Sequence, residues 1–231
     1  MGMTSTEMET IDVGVAYRET RARIVALLAD NTAAQWELPV PHCPDWTVRD
    51  TLAHLAGVVD DGINGNMAGV ATDAWTAAHV AKRASATGPE ILLEWTTFGP
   101  FVDDVATQRG LALAQLLFDT VAHEHDLRFA LRRPGGRDSD AMRIALHFAT
   151  TRLAERRSET GYLQIVIGGN FSYPDLPDDA RTLRASMFDA VRTFASRRSI
   201  DQILAMDWSA DPTAILPVLL PFPPPAVAIG E

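Results

Sequence analysis

The chain has 231 residues, 47% of them hydrophobic and 7% aromatic, and a formal net charge of −10 at pH 7. A chain of this length buries roughly three quarters of the surface its unfolded form exposes, so one large domain, or a medium and a small one, folds without a disulfide or structural metal. The acidic balance, with the basic residues dispersed, excludes nucleic acid as the main partner, because phosphate binding needs a clustered basic face.

The opening MGMTSTEMETID has neither the basic nor the apolar region of a secretory signal, and the lone Cys43 cannot form an intramolecular disulfide. Both readings predict a cytoplasmic protein. Met1-Gly2 with Thr6 fits an N-myristoylation pattern formally, without the nearby basic cluster that would hold the chain on a membrane. From Ile11 to Ala29, Val13, Tyr17, Ile24, Leu27 and Leu28 recur on one face of a helix. The prolines of Leu38–Trp46 predict an extended connection that delivers Thr47 as an N-cap.

Thr47 with Asp50 three residues later is a capping-box start, and Val48, Leu52, Leu55, Val58 and Val59 carry a helix to about Asp61. A third helix opens at Pro89 and continues past a kink at Gly99-Pro100 to Val105. A fourth spans about Leu111 to Leu131, and a fifth runs from Ser139 to about Arg156. After Gly161 the pattern changes, with a strand over Tyr162–Ile167 bounded by Gly168-Gly169-Asn170. Short helices follow at Ser186–Ala195 and Ser199–Ala205. The uncharged stretch from Pro212 to Gly230 is long enough to cross a bilayer, but Pro212, Pro217, Pro221, Pro223, Pro224 and Pro225 break it into a tail. The expected organisation is a helix bundle over residues 1–158 and a small α/β domain over 159–231.

Helical bundles build their sites from inward side chains at i, i+3 or i+4 spacing. Asp50 and His54 stack on one face of the second helix; Asp119, His123 and Asp126 share a face of the fourth, while His125 points about 160° from His123. Two imidazoles and a carboxylate from neighbouring helices suit Zn²⁺, with a fourth position for water or substrate. Spacing by itself favours an ordinary pair of bundle histidines, each bonded to the carboxylate one turn before it.

The segments Cys43-Pro44-Asp45-Trp46-Thr47-Val48-Arg49-Asp50-Thr51-Leu52-Ala53-His54-Leu55 and Asp119-Thr120-Val121-Ala122-His123-Glu124-His125-Asp126-Leu127-Arg128 resemble the two signature stretches of the actinobacterial mycothiol-dependent maleylpyruvate isomerase family, within the DinB-like superfamily. Ser186–Arg192 and Arg197-Arg198-Ser199 resemble that family's C-terminal domain. The resemblance implies a mainly α fold, a DinB-like antiparallel four-helix bundle followed by a small C-terminal α/β domain. It also implies a divalent metal, usually zinc, held by His54, Asp119 and His123, with mycothiol as thiol cosubstrate. The implied partners are a small thiol and a small electrophilic or acidic substrate, with no nucleic acid and no membrane, the chain being a monomer or a homodimer. In the family's isomerase reaction the thiolate adds to a conjugated cis double bond, allows rotation and leaves; related members transfer thiols. Where the family typically has Glu, this chain has Asp119, one methylene shorter.

Asp50, Asp126 and Arg128 are candidates for orienting a ligand or binding a substrate carboxylate, although Glu124 and Arg128 already form an i,i+4 pair. Cys43 reads first as packing, as do His42, His79 and His147 as surface or satisfied core residues, and Arg192, Arg197 and Arg198 as a solvated face. No Gly-x-Ser-x-Gly, P-loop or complete dinucleotide fingerprint occurs, which sets aside hydrolase, kinase and dehydrogenase chemistry. Two classes remain: a metal-dependent, thiol-using isomerase or S-transferase, and a non-catalytic metal- or small-molecule-binding module on the same bundle.

Overall fold

The computed structural model describes residues 10–155, 163–167, 171–173 and 181–231. The chain is mainly helical, with a small sheet region. Helix α1 (Val13–Leu28) starts at Asp12, whose carboxylate accepts from the amides of Gly14 and Val15 at 2.9 and 3.0 Å. A short α2 (Ala33–Trp36) leads into strands β1 (Pro39–Val40) and β2 (Cys43–Thr47), which pair antiparallel with Pro39 opposite Thr47 and Val40 opposite Cys43. The expected extended connection is thus a small hairpin, in which the prolines occupy positions a two-stranded ribbon tolerates.

Helix α3 (Val48–Asn64) has the expected capping box: the amide of Asp50 donates to Thr47 Oγ1, and the Asp50 carboxylate accepts from the Thr47 amide. It runs one turn further than its apolar pattern, to Gly65, whose φ of 72° is the left-handed stop that glycine adopts without strain. Helix α4 (Asp73–Lys82), capped by Thr72, has no counterpart in the sequence reading. Only one of its residues, His79, is buried, so it lacks the apolar stripe that betrays a helix. Helix α5 (Gly88–Arg109) opens with a Thr87/Glu90 capping box and passes through Pro100 as one helix. A 3-10 turn at Gly110–Leu113 precedes α6 (Ala114–Ala130), followed by α7 (Asp140–Glu155).

Beyond α7, strands β3 (Leu163–Ile167), β4 (Phe171–Tyr173), β5 (Arg181–Ala185) and β6 (Asp207–Trp208) form one sheet in the order β4-β3-β5-β6. β3 and β5 are parallel, with Leu163 opposite Arg181 and Ile167 opposite Ala185; both outer pairings are antiparallel. Two arginines hide β5 from an apolar reading, yet Leu183 is fully buried. Helices α8 (Met187–Phe194), packed on α7, and α9 (Ile200–Leu204) match the short helices expected. A 3-10 turn (Thr213–Ile215) and α10 (Leu216–Leu219) order part of the proline-rich segment. The helix end at Arg156, Tyr162, the Gly168-Gly169-Asn170 boundary and the myristoylation pattern lie outside the described residues.

The chain divides into two compact units. One comprises Asp12–Leu113 and His123–Gly136; the other includes Ala114–Ala122 and Arg137–Glu231. In the first, α1 and α3 pack on α5 around buried Ile24, Leu28, Leu52, Leu55, Ile91 and Trp95, and α4 packs on α3. No helix among the described residues is long and apolar enough to cross a membrane.

Candidate metal centre

Capping at Thr47 fixes where α3 begins, and with it the rotation that turns His54 inward, two turns along. His54 is 2% exposed and His123, on α6, 5%, and their ring centroids lie 5.1 Å apart with planes at 71°. Asp119 sits one turn before His123 on the same unbroken helix, so the helix itself sets its position. One donor atom from each of His54, Asp119 and His123 lies within 4.8 Å of the other two. The indole of Trp46, at the end of β2, lies beside both imidazoles, with centroids 5.2 Å from His54 and 5.7 Å from His123.

At least one nitrogen of each ring has a hydrogen-bond partner. His123 Nδ1 is 3.1 Å from Asp126 Oδ2, and Asp126 is fully buried. His54 Nδ1 is 3.2 Å from His79 Nδ1, and His79 Nε2 is 2.9 Å from Asp61 Oδ2. An ionised carboxylate only accepts, so a neutral imidazole bonded to it by one nitrogen carries its proton there. For a neutral His123 beside an ionised Asp126, that places the proton at Nδ1 and the lone pair at Nε2.

Asp126 has further neighbours from the β1–β2 hairpin: Cys43 Sγ at 3.6 Å and His42 Nδ1 at 3.7 Å. Cys43, His123 and Asp126 form a second group of donors close enough to hold a cation, sharing His123 with the first. Asp50 serves elsewhere: one oxygen accepts from the amide and hydroxyl of Thr47, and the other accepts from Arg49 at 2.8 Å. Arg128 donates to Glu124 at 2.9 and 3.0 Å, and Glu124, fully buried, also accepts from Arg23. His125 is buried as well, because α6 is covered on several faces. Burial holds the His147 imidazole below the usual histidine range.

The arginines of the C-terminal segment are not a solvated face. Arg192 is fully buried and donates to the Ala122 carbonyl at 2.9 Å and to Glu231 at 2.6 and 2.9 Å; Arg198 also pairs with Glu231 and with Asp189. Arg197 donates to the Ala195 carbonyl at 2.9 Å.

No sequence pattern assigns a role to Trp46, Asp61 or Trp75, and by pattern His79 is a surface or satisfied core residue. The signal that was present is Trp75 and His79 at i,i+4 between Thr72 and Lys82, a pair on one face of a short capped helix. The family model of the mycothiol maleylpyruvate isomerase N-terminal domain matches residues 17–98. The match to the maleylpyruvate isomerase domain covers Trp46, His54, Asp61 and His79 and ends before Asp119 and His123. Comparison with curated proteins and with solved structures gives no match.

Proposed function

We propose that this protein is a metal-dependent enzyme that uses a mycothiol-class thiol, acting as a cis–trans isomerase or S-transferase on a small electrophile. His54, Asp119 and His123 are the ligands in this reading, and zinc is the cation that best suits two imidazoles and one carboxylate. The observation that carries it is the convergence of these three donors, with the second nitrogen of each imidazole engaged by a hydrogen-bond partner. That is how ligating histidines are normally oriented, and the residues present fit the ion. When bound, the cation would supply charge that favours the thiolate of a cosubstrate thiol near neutral pH.

The chain's own residues do the rest. Asp126 keeps the His123 proton on Nδ1 and fixes the ring against rotation, and the Trp46 indole shields both imidazoles from water on one side. In an isomerisation the thiolate sulfur bonds to one alkene carbon and the π pair moves onto the conjugated carbonyl. Rotation follows about the bond that is now single, and return of the pair expels the same thiolate. A transfer differs only in that the new C–S bond is kept and a proton is taken up.

The test is elemental analysis of protein purified without a histidine tag, comparing wild type with His54→Ala and His123→Ala. Stoichiometric zinc in the wild type, its loss in both variants and thiol-dependent turnover that disappears with it are expected. A metal-free wild type removes the ligand assignment; metal without turnover on any thiol leaves the non-catalytic binding module.

A further inference from the structure

Helix α4 buries only His79, so packing alone gives little account of why that helix lies where it does. His79 is 3% exposed and bridges two side chains of α3, His54 through Nδ1 at 3.2 Å and Asp61 through Nε2 at 2.9 Å. The space for its ring is made by a missing side chain. A Cβ at Gly57, one turn beyond His54, would stand 2.2 Å from His79 Cγ and 2.5 Å from its Cβ, far inside contact distance. The Trp75 indole and the ring form a T-shaped pair, with centroids 4.2 Å apart and planes at 70°. Lys82 and Arg83 then tie the end of α4 to Asp60 at 2.5 and 3.3 Å.

We propose that Asp61 and His79 are a positioning relay that sets the tautomer and orientation of His54, with Gly57 as its clearance; the inference rests on His54 being a metal ligand. The proton bookkeeping has one solution for neutral rings. Asp61 accepts, so His79 carries its proton on Nε2 and presents the Nδ1 lone pair. His54 must then donate from Nδ1, which puts its own lone pair on Nε2. His123 reaches the same state through Asp126, so two imidazoles on different helices are set to ligate through the same ring atom. A carboxylate reaching a ligating histidine through a second histidine is a longer arm than the direct contact made by Asp126, and it gives α4 its purpose.

Two measurements test it. Zinc affinity is read by competition with a chelating dye, and the His54 tautomer is read from ring ¹⁵N shifts in the metal-free protein. His79→Phe keeps the ring volume and loses the acceptor: affinity is expected to fall about 10- to 100-fold, the usual cost of losing such a partner, and His54 to lose its preference for Nδ1–H. His79→Gln, whose carbonyl can accept, is expected to recover most of both. Gly57→Ala should mimic His79→Phe in a wild-type background and, once His79→Ala has vacated the space, change affinity by no more than about twofold, the scatter of independent changes. Wild-type affinity and tautomer in His79→Phe would overturn the relay, as would weaker binding with the tautomer unchanged, the mark of loosened packing. If wild type binds no zinc, the ligand assignment fails on its own, and the tautomer comparison in metal-free protein still decides the relay.

Discussion

At the scale of single residues, the proposed metal centre turns on Asp119. Donors around a tetrahedral zinc stand about 3.3 Å apart, given ligand bonds near 2.0–2.1 Å. The three donors here lie within 4.8 Å of one another. An aspartate on a rigid helix has one methylene fewer than a glutamate with which to adjust to that spacing. Asp119→Glu is therefore expected to bind zinc at least as tightly as wild type, and Asp119→Ala to lose it, both measured by dye competition; a tenfold loss in the glutamate variant would show that Asp119 is not a ligand. That His54, Asp119 and His123 face inward could be read from the sequence because each lies within a single helix, where periodicity converts directly into direction; their choice as a set came from the resemblance carried by the Trp-Thr-Val-Arg-Asp stretch before His54. Asp50 shows the limit of that conversion. It stacks with His54 by spacing, yet its oxygens are engaged with Thr47 and Arg49, since a helix N-terminus with unsatisfied amides and a neighbouring guanidinium compete for the same carboxylate.

At the scale of elements, α4 separates what could be read from what could not. Helices α1, α3, α5 and α6 announce themselves through apolar stripes, caps and a first-turn proline, whereas α4 buries only His79 and is tied to α3 by charge. Its attachment should accordingly depend on pH. Burial opposes ionisation of Asp60, but the Lys82 ammonium and the Arg83 guanidinium overcome it and hold the carboxyl below the usual range. A carboxylate depressed in the folded state contributes stability that is present above its unfolded pKa, about 4, and is lost as pH falls through the lower folded value. Amide protection over residues 73–82 should therefore drop below about pH 4 relative to α3 and α5. Asp60→Asn should show the lower protection already at pH 7 and a flatter acid dependence. Equal protection in wild type and variant at pH 7 would show that the tether contributes nothing to α4.

At the scale of the molecule, the change of residue grammar near 160 and the compact units divide the chain differently. Composition separates a helical from a β-containing stretch, and it cannot see that α7 packs on α8 or that Arg192, fully buried, donates to the carbonyl of Ala122 on α6. Met142 and Ile144 on α7 are fully buried and Leu146 nearly so. Each such side chain contributes about 1.5–3 kcal/mol when covered, and the whole stability of a domain is only about 5–15 kcal/mol. Uncovering even part of this surface is then a large fraction of the total. A chain truncated after residue 158 is expected to bind a hydrophobic dye and to lose near-ultraviolet dichroism while keeping much of its helical signal, with zinc binding weakened because α6 has lost the contact from Arg192 one residue before His123. Cooperative melting of the truncated chain at the full-length midpoint, with zinc retained, would instead make residues 1–158 a domain that folds alone.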